Sequence, residues 1–597
     1  MKRILVAFVV ALTLGCIFHQ DMLLQHFIAP ADAVAAPMQS SRTKFGDHYY
    51  YYILAKKAVL KLNPFVDETI KQEESFFYQN SGQESVYSGA LLTAGLFDYI
   101  AQLVPVDWTT KTLLAFILQT SFLFFSALMV YIVLRGSKSV RWIELLIFGF
   151  FLAYCSRGVI YGVYSGSLSY PFTESPFYYP DFLRLVNPQI TWAFALLYLT
   201  LLVLFFKKSD IRIYSALIIL SLCFGNFSIP LTVTMMLGLG LYGIATLVKD
   251  KKIDYHMLGI GLALICSFLY VRYQMNLFYQ TEKGQNLQTG SLISWKIKIH
   301  YFYLLIFLPL IRKFLPSEAK SPLTWLYISS IILGSICDSF ALGSRIWLRG
   351  SAIFVHVLLI YSLVELLRTI LLNQWERLCS YKVVPFAILS SITAVVYISL
   401  APNFIGWYGY IEKDKAEVIE WLRTNTGRTD VVASPNLEDA YYIPQYTNSQ
   451  PYVQLFDFSP LSFQELMSRY FQTLDIFGIQ DRYLERILAA EKKQLSIMDA
   501  QIENRPSQRV NYEDYQIYSF YTAVMYYPYN KSIENIFLTP QRNEEFHSKI
   551  VEIAAISKTN KAGKIDFIIY EKNAGMNKPQ GYVTRFENAQ YEILSKH

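Results

Sequence analysis

The chain reads as a polytopic α-helical membrane protein, with about eleven transmembrane helices followed by a soluble α/β or α+β domain. Three observations lead there. Charged residues make up only 17% of the 597 positions, against roughly 25% in soluble domains. Hydrophobic residues reach 53% and the mean hydropathy is +0.28. Apolar runs near the spanning length of ~20 residues recur as far as residue 401 and then stop.

These runs fall at about 4–19, 112–134, 142–163, 190–206, 213–228, 229–248, 255–277, 296–312, 322–341, 350–371 and 383–401. The first follows Met1-Lys2-Arg3 and is read as an uncleaved span, although Ala33-Val34-Ala35-Ala36 also suits signal cleavage. Basic groups then alternate. Arg135/Lys138/Arg141, Lys207/Lys208/Arg212, Lys249/Lys251/Lys252, Arg312/Lys313/Lys320 and Arg377/Lys382 all fall on the side of Lys2 and Arg3. Positive loops stay in the cytoplasm, so the expected layout has its N-terminus inside, in the cytoplasmic membrane. Residues 20–111, 164–189, 278–295 and 342–349, and everything after 402, then lie outside. The transmembrane unit is 1–410 and the soluble unit, periplasmic or extracellular, is 411–597.

The net charge of +7 comes mostly from those short loops and is no nucleic-acid signal. None of the six cysteines stands in a CxxC or Cys/His spacing, so neither zinc nor a disulfide framework is suggested. No Walker A, GxGxxG, HExxH or GxSxG pattern occurs.

The first outer loop carries Phe45-Gly46-Asp47-His48-Tyr49-Tyr50-Tyr51-Tyr52. Tyrosine settles at the water–lipid boundary and would hold Asp47 at headgroup depth. Asp47 suits an N-cap for a helix beginning near Tyr49 and equally a base facing a cleft; the two are compatible. Residues 88–104 are too short and polar for a span and are expected as a helix along the interface. Arg184…Asn187-Pro188-Gln189 opens the fourth run, with Asn187 as cap and Pro188 in the first helical position. Arg184 and Gln189 are left as polar-contact candidates.

Further cations stand where the positive-inside rule places few. Lys296, Lys298 and His300 open the eighth run, and Arg345 and Arg349 precede the tenth. Arg157 and Arg272 lie within runs, and Asp338 is a structural partner for Arg345 or Arg349. Snorkelling at a helix end explains any one of these alone. Several arginines together at outer depth suit the oxygens of a lipid phosphate. Beyond 411, Glu417 to Gly427 reads as an amphipathic helix closed by glycine, and Val431-Val432-Ala433-Ser434 as a short strand.

The Gly46-Asp47-His48-Tyr49-Tyr50 acid, the Arg184…Asn187-Pro188-Gln189 segment, the many-span layout and the Trp421…Thr447 opening of the C-terminal domain together resemble the GT-C class of integral-membrane glycosyltransferases. The resemblance covers nearly the whole chain through short, degenerate motifs. It implies a polyprenyl-phosphate-linked sugar donor, transfer on the outer face and Asp47 as the base that activates the acceptor. His48, Arg184, Gln189, Lys296, Lys298, His300, Arg345 and Arg349 are the substrate-binding candidates. The acceptor class is a glycan, a lipid-linked glycan or a protein, with membrane lipids around it and no nucleic acid. Many members carry a second acid beside the first, where this chain has His48. Glu73, Glu74 or Glu174 would have to serve, so a divalent metal (Mg or Mn) stays open. A non-catalytic scaffold of the same shape and a lipid or glycan transporter are the alternatives; a transporter usually shows paired repeats, and none is seen.

Overall fold

The computed structural model describes residues 2–35, 88–154, 189–279, 299–337, 350–370, 410–453, 463–495, 516–521 and 539–596, with short breaks inside these ranges. The protein is mainly helical, with a small sheet region at its C-terminus. Its helical bundle contains α1 (Lys2–Phe18), α2 (Ser88–Gln102), α3 (Trp108–Arg135), α4 (Trp142–Tyr154), α5 (Gln189–Lys208), α6 (Ile211–Phe224), α7 (Ile229–Asp250), α8 (Tyr255–Tyr279), α9 (Leu308–Phe314), α10 (Ser317–Cys337) and α11 (Ala352–Ile370).

Among the described residues, five helices are long and apolar enough to cross a membrane: α3, α5, α7, the 255–273 part of α8, and α11. This is fewer than the eleven expected from hydropathy. Several expected runs are shorter as helices, such as α6, and 383–401 lies outside the described residues. One run is built differently. The segment expected as a span at 296–312 is a 3₁₀ helix over Ile299–Phe307, followed by α9 with Pro309 in its first turn. Proline has no N–H to continue an incoming α-helix and is tolerated where a new one starts.

Local chemistry sets several helix starts. Asp107 accepts from the Thr109 and Thr110 amides to open α3, Asp210 opens α6, and Ser228 with Pro230 opens α7. Such caps satisfy amides that have no intrahelical partner. Helix α2, expected along the interface, buries Ala90, Ala94, Asp98 and Ala101 and leaves Leu96, Tyr99 and Ile100 exposed. It packs on α3 through Phe97, whose ring lies 5.6 Å from Phe122; Phe122 meets Phe194, which stacks on Phe227 at 3.9 Å.

The bundle has two chemically distinct ends. At the basic end, Arg3 donates to the Gly136 carbonyl at 3.0 Å and Lys207 to the Val133 carbonyl at 2.5 Å. Arg135 pairs there with Glu365 at 2.7 Å and Glu144 at 3.7 Å, and Arg368 joins the same two acids at 3.4 and 3.7 Å. The opposite, sheet end carries the C-terminal region. Strand β1 (Ala33–Ala35), just after α1, pairs antiparallel with β2 (Tyr410–Glu412). Then follow α12 (Lys413–Asn425), β3 (Val431–Ala433), α13 (Asp439–Tyr446), β4 (Gln450–Pro451), α14 (Phe463–Ile476), α15 (Gln480–Ala489), α16 (Pro540–Thr559), β5 (Phe567–Glu571), β6 (Tyr582–Glu587) and β7 (Tyr591–Lys596).

Strands β4-β3-β5-β7-β6 form one mixed sheet, with β3 parallel to both β4 and β5. Alternate residues serve opposite faces, as the pleat requires. Ile568 and Leu594 join the core that includes Leu466, Phe471 and Ile550 of α14 and α16, while Ile569 and Ile593 meet Val418 and Leu422 of α12. A separate core joins this region to the bundle, uniting Met22, Trp108, Phe116 and Ile190 with Ile411, Ile419, Tyr442 and Tyr446. Trp108 and Tyr446 are in ring contact at 4.4 Å, and Arg423 reaches Gln102 at 3.5 Å.

Candidate functional site

Three helices meet at the sheet end of the bundle. His19 directly follows α1, α3 passes with Gln119 and Thr120 on consecutive positions, and α5 begins at Gln189. The close approach of α1 to α3 depends on Gly15, where a Cβ would sit against the Ser121 hydroxyl and the Ile117 carbonyl. His19 Nε2 lies 2.7 Å from the Thr120 hydroxyl, and Gln189 Nε2 donates to the same oxygen at 2.8 Å. All four side chains are fully buried. Gln189 Oε1 and both polar atoms of the Gln119 amide have no hydrogen-bond partner among the described residues. Buried amides without partners cost of the order of 1–3 kcal/mol each, so such a pair calls for an explanation.

Gln189 is therefore the one substrate-binding candidate from the sequence whose side chain is placed, and it lies in a polar cluster. His300 falls within the 3₁₀ segment. Asp47, His48, Arg184, Lys296, Lys298, Arg345 and Arg349 lie outside the described residues, as do Arg157, Asp338, Glu73, Glu74 and Glu174. Arg272 is exposed on α8. Among the described residues, no three His, Cys, Asp or Glu side chains come together as a metal group.

Sequence reasoning missed His19, Gln119 and Thr120. The available signal was a Gln-Thr pair in the middle of a 28-residue apolar helix. It also missed Asp98, a carboxylate buried on the Ala90/Ala94/Ala101 side of α2, where an interfacial helix would have turned it to water.

The chain matches no family model and no curated protein. Chemistry alone must therefore separate the candidate sites. The basic-end network of Arg135, Glu144, Glu365 and Arg368 brings two cations to two anions, with Tyr131 donating to Glu365 at 3.4 Å. That pairs opposite charges between α3, α4 and α11 and suits holding those helices together.

A second knot lies in the sheet region at the carboxyl end of β3, where parallel sheets place ligand crevices. Lys415 Nζ contacts both Asp439 oxygens at 2.6 and 2.7 Å, and Ser434 donates to Asp439 at 2.5 Å. Burial, with Glu571 and Asp439 nearby, pushes the Tyr591 hydroxyl well above its ordinary range, and the Lys415 ammonium lies 4.7 Å from that ring. The adjoining pocket is only about 10 Å³, space for a single water. The Lys415–Asp439 pair pins α12 to α13. The His19–Thr120–Gln189 cluster, whose Gln189 carbonyl oxygen is left over, is the better candidate for a ligand.

Proposed function

We propose that the protein is a membrane glycosyltransferase that moves a sugar from a polyprenyl-phosphate donor to an acceptor hydroxyl on the outer face of the cytoplasmic membrane. One observation carries the reading. The end of the bundle that bears the sheet region also holds Gln189 in a buried polar cluster, and the opposite end gathers Arg3, Arg135, Lys207 and Arg368. Under the positive-inside rule the basic end is cytoplasmic, which puts the polar cluster and the sheet region outside. Several apolar helices support the membrane setting, and the resemblance of the Asp47 and Asn187-Pro188-Gln189 segments supports the reaction class.

In this reading Asp47 takes the proton of the acceptor hydroxyl as general base. The acceptor oxygen forms a bond to the anomeric carbon as the bond from that carbon to the phosphate oxygen breaks. The electron pair leaves on polyprenyl phosphate, and displacement inverts the anomeric centre. Arg345 and Arg349, with Lys296 or Lys298, stabilise the phosphate charge as it grows.

The test compares wild type with Asp47→Asn, both purified into lipid nanodiscs, against a panel of polyprenyl-phosphate sugars. Donor binding should persist in the variant while turnover falls by about 10²–10⁴-fold, the usual worth of a positioned base. A wild type that binds and turns over no donor would remove the reading. Unchanged turnover in Asp47→Asn would leave Asp47 as a helix cap.

A further inference from the structure

We infer that the exposed face of α8 is a wall along which the bundle meets the acyl chains of the bilayer, and that Arg272 on that face binds the phosphate of an outer-leaflet lipid. Helix α8 begins at the basic end, where the His256 and Phe205 ring centroids lie 5.6 Å apart. It runs toward the turn that precedes α7, where the Ser267 hydroxyl accepts from the Gly225 amide at 2.8 Å.

The two sides of this helix differ. Met257, Ile260, Leu264 and Val271 are buried, Val271 in a small core with Ile229 of α7. Tyr255, Leu258, Leu262, Ile265, Leu269 and Tyr273 are exposed. Steps of three and four residues keep these six in one stripe along the helix. Only 33% of this apolar stretch is buried, against 67–72% in α3, α5 and α11. A large apolar surface left open marks a contact with something apolar. Tyr255 and Tyr273, at the ends of the stripe, stand eighteen residues apart. That is about 27 Å along the axis, close to the ~30 Å of a bilayer's hydrocarbon core. Tyrosine favours both edges of that core, and the fifteen residues from Met257 to Val271 carry no charged side chain. Acyl chains fit this length, these ends and this composition.

Arg272 breaks the pattern. It follows Leu269 by three residues, which puts it on the side of the helix that bears the stripe, and it is exposed there. Among the described residues neither an ion pair nor a hydrogen bond reaches it. A charge at the margin of an apolar face normally has a partner. The stem of an arginine lies along apolar surface while its head reaches the boundary, and its planar fork matches phosphate oxygens. Tyr273 marks that same boundary one residue on, and the sequence of α8 turns polar just beyond it, at Gln274 and Asn276. The anion that stands at this height in a bilayer is the lipid phosphate.

The inference rests on the membrane setting of the proposed function and not on the transfer step, so the Asp47→Asn result does not bear on it. Wild type in nanodiscs is photolabelled with phospholipids carrying a diazirine at the acyl terminus or in the headgroup, and crosslinked residues are mapped by mass spectrometry. The acyl probe should label Leu258, Leu262, Ile265 and Leu269 and pass over Ile260 and Leu264. The headgroup probe should label Tyr270 and Tyr273. In Arg272→Leu that headgroup labelling should fall by about fivefold, the worth of one cation at a lipid surface, and Arg272→Lys should keep most of it. Neither substitution empties a core, since the side chain is exposed. In nanodiscs of a galactolipid, which has no phosphate, wild type and Arg272→Leu should label alike.

Equal headgroup labelling of wild type and Arg272→Leu in phospholipid overturns the phosphate contact. A loss of the same size in galactolipid overturns it too, because the arginine would then act without phosphate. Acyl labelling elsewhere on the chain, with α8 crosslinked only to a second copy, overturns the lipid wall and leaves the membrane setting intact. No acyl labelling anywhere removes this inference and the membrane setting together.

Discussion

At the scale of single residues, Arg135 shows how a charge is kept in an apolar bundle. It lies at the end of α3 with Glu365 on one side and Glu144 on the other, and Arg368 returns to both acids. Removing one member strands an uncompensated charge, whereas removing an oppositely charged pair does not. Arg135→Met should therefore lower stability by about 3–5 kcal/mol, and Arg135→Met with Glu365→Leu should recover much of that. Thermal unfolding followed by size-exclusion in detergent reads the difference. A double variant no more stable than the single one would show that the network does not act as a neutral unit. None of these pairings was legible in the sequence, although Arg135 stood out as a loop cation. Its partner Glu365 lies 230 residues away, and Thr120 meets partners 101 and 69 residues distant. Periodicity reports which face of a helix is apolar; it carries no information about which distant polar group that face will meet. Gln189 was legible because it opens a helix after a Pro, a local signal. Gln119 and Thr120 were a short polar interruption of an apolar run and His19 stood at the end of one, neither of which changes the hydropathy pattern.

At the scale of elements, the contact between α1 and α3 depends on a missing side chain. A Cβ at Gly15 would press on the Ser121 hydroxyl and on the Ile117 carbonyl, which is backbone and cannot swing aside. Gly15→Val should push the two helices apart at an overpacking cost of about 1–3 kcal/mol. Because His19 follows one helical turn later, the same change should disturb the His19–Thr120 contact at the sheet end. A chemical-shift or hydrogen-exchange probe on residues 116–121 reads this; an undisturbed α3 in a folded Gly15→Val protein would refute the coupling. The caps at Asp107, Asp210 and Ser228 were not singled out in the sequence, although each is of a favoured type. Nor was the 3₁₀ stretch at Ile299–Phe307. Hydropathy averages over a window and does not distinguish an i→i+3 from an i→i+4 ladder. Pro309 was the local clue that one run holds two elements.

At the scale of the whole molecule, the sheet region is tied to the bundle at the Trp108–Tyr446 contact and at the β1–β2 ladder. Tyr446→Ala removes a large ring from the shared core, a change worth about 3–5 kcal/mol where neighbours do not collapse. Hydrogen exchange at Val34 and Ile411 should then quicken, while α3 below residue 123 keeps its protection. Equal exchange in variant and wild type would mean that the ladder alone holds the two parts. The broad plan, apolar helices first and a sheet region after about residue 411, was legible because composition changes there. The docking was not, because the joining core takes residues from α2, α3, α5, α12 and α13 that have no shared pattern in the chain.

The ladder between β1 and β2 also fixes an order of events. Ala35 pairs with Tyr410, a partner synthesised 375 residues later. At about 5–20 residues per second, β1 waits roughly 20–75 s for its mate while the helices between them are made. A waiting strand is an aggregation hazard in proportion to its length and apolar edge; at three residues, Ala-Val-Ala, this one offers little to a wrong partner. The brevity of β1 thus suits a strand whose partner is made only after the helices of the bundle.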